Sequence, residues 1–410
     1  MISVDEAREA VLGRTEALPA EGVPLQGSLA RILREAGVAD RDFPPFDRAA
    51  MDGFAVRSKD VAAANTRLRL SGEVRAGMWP DRAVGAGEAT RIMTGSPVPQ
   101  GADAVIQVEQ TKMVETAIVD VFDVLVETPV GAGQNIVPRG SEAGKGAVLL
   151  HRGVRITQAH LAVLASVGVA VVSVGRAPRV GVMVTGDEVV EPSASPTAAQ
   201  IRNANGPALV AAIGEAGGVA KSYGILADDL AATTRAIERA LHDRQDVLVL
   251  SGGVSAGMFD FVETALAGLG VTLHVTAVSV KPGAPFVFGT RGETLMFGLP
   301  GNPVSAQVTF ELFVRPALLK MQGATRILRP IFDAVLEGPV TNRSGRKNFL
   351  PGFASWQDGA FRVAPVRTQG SGDIAAHSRA NALVVLDPDR THAATGEIVP
   401  IYPLSSLMEI

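Results

Sequence analysis

Hydrophobic and polar positions follow several different periods along this chain of 410 residues, and the changes of period mark its organisation. Ser3 with Glu6 makes a capping-box pattern ahead of a short amphipathic helix, and a second apolar helix pattern runs over 28–36. Over 67–150 the segments become short, rich in valine and threonine, and broken by glycine or proline at positions such as Gly72, Gly85, Gly101, Gly131 and Gly146. That spacing predicts a small all-β unit. A helix pattern over 157–167 leads back toward the body of the protein.

From Pro178 onward, strand patterns alternate with helix patterns. VGVMVTG predicts a strand buried on both faces, 200–216 a helix, 220–226 a strand, and 228–242 a helix opened by Asp228 and Asp229. A second buried run over 246–250 precedes an SGG turn and a helix over about 259–269. Strands at 271–280 and 294–298 and a long helix over 303–321 complete the series. Such a succession implies an open, mostly parallel three-layer α/β sheet. Beyond Arg326 the short segments IFDAVLEG, FRVAPV and ALVVLDP predict a separate small β domain.

Composition narrows the class of function. With 47% hydrophobic residues the chain can bury several cores, and two to four domains are expected for its length. Thirty-eight basic against 42 acidic residues leave a net charge of −4, so no field for a polyanion exists and nucleic acid is not an expected partner. The longest weakly polar run, 161–175, is 15 residues, short of the ~20 that cross a bilayer. Acidic residues stand at the N-terminus where a secretory signal would carry positive charge, so a cytoplasmic location is expected. Cysteine is absent, which excludes disulfides, thiolate metal sites and cysteine nucleophiles. Any sulfur chemistry must come from a ligand. The six histidines show no HxxH or HExxH spacing.

Candidate chemistry concentrates between Ser251 and Pro303, where SGGVSAGMFD, KPGAPF and LPGNPVSA follow one another. A turn that follows a buried strand or opens a helix directs backbone N–H groups at an anion outside the strand ends, so three in series predict one phosphate-bearing ligand held at several points. Strand ends also bring Thr185, Gly186, Asp187 and Glu188, then Asp228, then Asp260, toward one crevice, with Lys281 near a later strand end. Carboxylates beside anion turns suit Mg²⁺, which takes one or two of them and completes its shell with phosphate and water. Each element has a plainer reading: Asp187 and Asp228 as caps, Asn302 and Pro303 as a helix start, Asp52 of AMDGFAV as a turn residue, and Arg346 of GRKNF as a solvated cation. TQGSGD at 368–373 could add an anion contact.

In order along the chain, PPFDRAAMDGFAV, RIMTGSPVPQGADAVIQVEQ, VGVMVTGDE, LSGGVSAGMFDF, KPGAPF, GLPGNPVSA and QGSGDIAAHSRANAL resemble the molybdopterin molybdenumtransferases, the family of bacterial MoeA and the E domain of gephyrin. The resemblance covers essentially the whole chain. It implies a linking domain at 1–42 and 141–176, an inserted β domain at 43–140, an α/β domain like the molybdopterin adenylyltransferases at 177–326, and a β barrel at 327–410. It implies Mg²⁺-dependent insertion of molybdate into adenylylated molybdopterin with release of AMP, by a homodimer, with a molybdopterin adenylyltransferase and molybdoenzymes as protein partners. By resemblance, Glu188, Asp228 and Asp260 serve the metal and pyrophosphate, while Gly252, Gly253, Ser255 and Gly257, with Thr185, Gly186, Pro300 and Gly301, hold the nucleotide. Lys281, Arg346 and Ser371 contact the anionic ligand, Asp187 joins the catalytic acids, and Asp52 and Thr94 face the crevice of the other protomer.

Three departures from the family pattern remove charge. Ala284 stands where the second lysine of KPGKP is usual, the loop often written IYDSNR or IRDSNR reads IRNANG at 201–206 and so lacks an aspartate and an arginine at Asn203 and Gly206, and Pro351 replaces the second arginine of RxxFxRG. Arg202 is a candidate replacement cation. The rival readings are a diverged, cofactor-binding or scaffold paralogue, a tungstate-inserting variant, and a stand-alone adenylyltransferase. The retained acids argue against the scaffold, and the flanking β domains against the adenylyltransferase.

Overall fold

The structure is a computed structural model in which residues 1–118, 121–253 and 261–404 are described. It divides into two compact units, one of Met1–Glu35, Arg152–Gln158 and Val171–Ile410, the other of Ala36–His151 and Ala159–Ala170.

A six-stranded sheet organises the first unit. Its strands lie in the order Val219–Leu226, Arg179–Thr185, Val247–Ser251, Thr294–Leu299, Pro285–Arg291, Thr272–Ala277. The first four are mutually parallel and the last two antiparallel. Side chains alternate across the sheet, and both faces are apolar. Val180, Val182, Val247, Val249 and Phe297 pack with Leu209 and Ile213 of the helix Asn205–Glu215 and with the long helix over 303–321. Met183, Leu248, Leu250 and Met296 pack on the opposite side against Ile237 and Val262 of the helices Leu230–His242 and Phe261–Gly268. Three layers follow because a parallel strand with two apolar faces must be covered twice.

Local signals in the sequence correspond to local structure. Glu6 donates its backbone N–H to Ser3 Oγ at 3.1 Å, and Ser3 N–H donates to Glu6 Oε2 at 2.7 Å, closing the capping box of Val4–Leu12. Asp229 Oδ1 accepts from Ala232 N at 2.7 Å and caps the helix Leu230–His242. Two expectations need correction. Apart from Ser28, which ends the 3-10 turn Leu25–Ser28, residues 28–36 are not helical: Ala30, Leu33 and Arg34 donate their N–H groups to Ile156 O, Val154 O and Ser173 O, so pairing with distant segments overrides the local pattern. The helix expected over 200–216 begins only at Asn205, because Ile201–Arg202 pairs in parallel with Val189–Val190. The long helix over 303–321 contains a wider π turn, Phe310–Val314, directly before Pro316, whose ring cannot supply the next backbone donor.

At the C-terminal end the strands Lys347–Gln357, Ala360–Pro365, Phe332–Leu336, Ile398–Pro403 and Ala382–Leu386 pair in that order, and the last pairs back to the first. The result is a closed five-stranded barrel filled by Leu336, Ala354, Val363, Val384, Leu386 and Ile401. The short strand Val280–Lys281 adds to Lys347–Gln357 in parallel, placing Lys281 opposite Asn348.

In the second unit six strands lie in the order Ala104–Gln107, Gly53–Val56, Glu88–Ile92, Thr66–Val74, Phe122–Val126, Thr111–Glu115, around Phe54, Val56, Leu68, Ile106 and Val124. The all-β expectation for 67–150 agrees with these strands. A helix, Gln158–Ser166, lies where the pattern over 157–167 predicts one. No helix among the described residues is long and apolar enough to cross a membrane.

Candidate functional site

Chain direction locates the site in the first unit. From Arg179–Thr185 the chain turns to one side to form Val219–Leu226, then crosses to the other side to form Val247–Ser251. Between those two neighbours lies a topological switch point, where an open α/β sheet has a crevice at its carboxyl ends. Val184 lies opposite Ser251 and Ser251 opposite Leu299, so three strand ends finish in one row. A cavity of about 810 Å³ opens there.

The floor is built from turns. Gly252 has φ +96°, and a Cβ on it would lie 2.7 Å from both Thr185 O and Thr185 Oγ1. Only glycine lets the SGG turn lie this close to the neighbouring strand end. A buried asparagine fastens the turns together: Asn205 Nδ2 donates to Ser251 Oγ at 2.8 Å and to Gly301 O at 2.7 Å, while Ser251 Oγ donates to Pro300 O at 3.2 Å. Next to this clasp, Asn302 Nδ2 donates to Ser371 Oγ at 2.9 Å and Val304 N to Ser371 O at 3.1 Å. The LPGNP turn and the 368–373 loop are thereby held as one wall.

Two carboxylates close enough to influence each other, Glu188 and Asp228, line the cavity. Asp187 does not, but its backbone N–H donates to Asp228 Oδ2 at 3.2 Å, and Asp228 N–H donates to Asp187 Oδ1 at 3.1 Å. Burial raises the Asp228 pKa above the ordinary aspartate value, and the charges of Asp187 and Glu188 push it the same way. The Thr185 hydroxyl, buried without a hydrogen bond of normal geometry, is near enough to oppose that shift weakly. Crowded carboxylates of this kind are relieved by a bound cation. Among the described residues no group of three or more His, Cys, Asp or Glu is placed to hold a metal, so the donor set is the pair Glu188 and Asp228. That suits Mg²⁺, which needs few protein ligands.

The remaining charged groups on the wall are Arg202, Lys281, Arg346 and Asp373. Asp373 is occupied, accepting from Gln369 N and Ala376 N at 3.0 and 2.9 Å. The three cations form no ion pair among the described residues. Arg202 Nε donates to Ala194 O at 3.1 Å, which anchors the guanidinium by one nitrogen. The Arg346 loop is shaped by buried Asn342, whose Nδ2 donates to Arg346 O at 2.8 Å. Asn203, Ala284 and Pro351 all line the cavity, so three of the lost family charges are lost from its wall. Asn203 is different: its Oδ1 still accepts from Gly206 N at 2.8 Å, so the loop keeps the bond that an aspartate would make.

Of the residues predicted from sequence, Thr185, Gly186, Glu188, Asp228, Gly252, Gly253, Lys281, Pro300, Gly301, Arg346 and Ser371 share this one cavity. Ser255, Gly257 and Asp260 lie outside the described residues. Asp52 and Thr94 belong to the second unit, where they meet: Asp52 Oδ1 accepts from Thr94 Oγ1 and Thr94 N, each at 2.7 Å. These two bonds, with Arg91 nearby, hold the Asp52 carboxyl below its ordinary pKa. The sequence reading missed Asn205, Asn342 and His377, took Asn302 only as a helix start, and took Asp373 only as part of the 368–373 loop. Asparagine at a helix start is the one signal that could have singled out Asn205.

Family models match three consecutive stretches: the MoeA N-terminal region (domain I and II) at 2–168, a "Probable molybdopterin binding domain" at 181–320, and the MoeA C-terminal region (domain IV) at 333–404. The molybdopterin molybdenumtransferase of Haemophilus influenzae is 35% identical over 419 residues, covering 100% of both chains. That of Bacillus subtilis is 33% identical over 404 residues, covering 98% of this chain and 93% of the relative. In structure, the molybdopterin biosynthesis MoeA protein from Pyrococcus horikoshii superposes with a TM-score of 0.83 at 32% identity, covering 99% of this chain and 100% of the other.

Proposed function

The chain belongs to the molybdopterin molybdenumtransferase family, and we propose that its cavity binds adenylylated molybdopterin with molybdate, transfers the metal to the dithiolene sulfurs, and releases AMP. The observation that carries this reading is that one cavity is lined both by the carboxylates Glu188 and Asp228 and by the cations Lys281 and Arg346, which form no ion pair among the described residues. A pyrophosphate that bridges a nucleotide to a pterin needs both: cations and N–H groups for its oxygens, and carboxylates for the ion that accompanies it.

The SGG and LPG turns direct backbone donors at the nucleotide phosphates, and the Asn205 clasp keeps those turns at fixed separation. Lys281 and Arg346 attract molybdate, a tetrahedral dianion, with Arg202 as a third positive group. Glu188 and Asp228 would hold Mg²⁺, with Asp260 as a third candidate ligand; once bound, the ion offsets the charge that develops as the phosphoanhydride breaks. Soft sulfur ligands for molybdenum come from the pterin, in keeping with a chain that has no cysteine.

The proposal extends to assembly. The protein acts in the cytoplasm as a homodimer, and Asp52 and Thr94 of each protomer complete the cavity of the other. Its protein partners are the adenylyltransferase that makes its substrate and the molybdoenzymes that take its product. The test is AMP release from adenylylated molybdopterin with molybdate and Mg²⁺, read alongside activation of an apo-molybdoenzyme. Wild type turns over, and Asp228→Asn falls by about 100-fold or more. A folded wild type that releases no AMP and activates no enzyme would overturn the reading.

A further inference from the structure

His377 ends the short helix Ile374–His377, whose start is capped by Asp373. The residue is buried, with 7% of its surface exposed, and it lines the main cavity and also a neighbouring cavity of about 300 Å³ beside the helix Asn205–Glu215. Nδ1 is occluded and has no hydrogen-bond partner. Nε2 makes no bond among the described residues either, but it is not occluded.

These facts set the tautomer. A neutral imidazole has one N–H and one bare nitrogen, and an orphaned buried N–H is the rarer and costlier fault. The proton therefore sits on Nε2, and the bare nitrogen is the occluded Nδ1. Burial also lowers the pKa of the ring, which keeps it neutral near pH 7. An Nε2–H that is open to a cavity and has no protein acceptor among the described residues donates to whatever occupies that cavity, water or a bound ligand. The main cavity carries the carboxylates Glu188 and Asp228 together with Lys281, Arg346 and Arg202, cations that form no ion pair among the described residues and draw an anion into it. The charged groups of the neighbouring cavity are the carboxylates Glu215 and Glu311, the latter paired with Arg329 at 2.8 Å, which repel one.

We propose that His377 is a substrate-binding residue of the main cavity, donating from Nε2–H to an anionic oxygen of the bound substrate. The assignment rests on the functional reading above for the identity of that oxygen, which belongs to molybdate or to the nucleotide phosphate. It adds to the cavity a neutral, fixed donor that discriminates by geometry, where Lys281 and Arg346 act mainly by charge.

The experiment titrates the full-length protein calorimetrically with molybdate alone and with AMP alone, for wild type, His377→Phe, His377→Gln and His377→Asn. Glutamine places an amide nitrogen near the position of Nε2, whereas asparagine reaches only as far as Nδ1. His377→Phe and His377→Asn are expected to weaken at least one of the two ligands about tenfold, while His377→Gln stays within about threefold of wild type. The arm that moves names the source of the oxygen. Should His377→Phe fail to fold, the contrast between the glutamine and asparagine variants carries the test alone. Wild-type affinity for both ligands in His377→Asn overturns the proposal, as does equal loss in the asparagine and glutamine variants. A wild type that binds both ligands but releases no AMP from adenylylated molybdopterin refutes the functional reading and leaves this assignment standing.

Discussion

Replacing Asn205 by alanine tests whether one buried amide holds the nucleotide end of the cavity together. Asn205 is 8% exposed and Ser251 fully buried, and the amide joins the end of the strand Val247–Ser251 to the carbonyl of Gly301. Alanine removes two hydrogen bonds worth about 1 kcal/mol each, and the buried Ser251 hydroxyl loses a donor it cannot replace with water. The Gly301 carbonyl faces the cavity and is partly rehydrated, so the sum is about 2–3 kcal/mol. Asn205→Asp should cost more, since a carboxylate brings no hydrogen to the Gly301 carbonyl and opposes it oxygen to oxygen. The chain has two tryptophans, Trp79 in the second unit and Trp356 in the barrel of the first. Urea unfolding followed by fluorescence in a Trp79→Phe background therefore reports the first unit without the second. A double-mutant cycle with Ser251→Ala should give a coupling of about 1 kcal/mol, and AMP affinity should fall with stability because the LPG turn is released. A stability change below about 0.5 kcal/mol, or strict additivity with Ser251→Ala, would refute the clasp.

Further outcomes follow from the same geometry. The folded pKa of Asp228 lies above its unfolded value, so its contribution to stability is greatest below the ordinary aspartate range and is lost as pH rises through the raised value. Asp228→Asn should consequently melt higher than wild type near neutral pH in EDTA, match it in acid, and lose the stabilisation that Mg²⁺ gives wild type. Gly252→Ala forces a Cβ to within 2.7 Å of Thr185 O at φ +96°, and should lower AMP affinity about tenfold or more by calorimetry. Thr94→Val removes one of the two bonds that depress Asp52, so NMR titration should show the Asp52 pKa rising toward its ordinary value. If Asp52 acts in the partner's cavity, mixing inactive Asp52→Asn and Asp228→Asn subunits should restore about a quarter of wild-type activity, since half the dimers are mixed and each mixed dimer has one intact site. No recovery on mixing would place both acids in the same protomer's site.

Much of the fold was legible because its signals are short-range. The Ser3 and Glu6 capping box and the doubly buried strand runs depend on neighbours within a few residues and are present as read, while the cap of Leu230–His242 is Asp229, one residue beyond the candidate Asp228. The segment over 28–36 misled because its apolar spacing fits a helix, while Leu33 and Arg34 find their acceptors more than a hundred residues away. The antiparallel strand Pro285–Arg291 was similarly hidden behind the KPGAPF turn, whose proline and glycine suggested only a loop.

The site divides along the same line. Residue type and order alone were enough to recognise the family, to choose the glycine turns, and to nominate Glu188, Asp228, Lys281 and Arg346, because those groups carry their chemistry wherever the chain places them. The roles of Asn205 and His377 were beyond such a reading. An amide becomes a clasp only when a strand end and a turn, 46 and 96 residues further along the chain, close around it, and an imidazole becomes a directed donor only when packing hides one nitrogen and leaves the other open. Asp187 shows the reverse case: an acid well placed in sequence, yet turned by the fold into a backbone partner of Asp228 and left off the cavity wall.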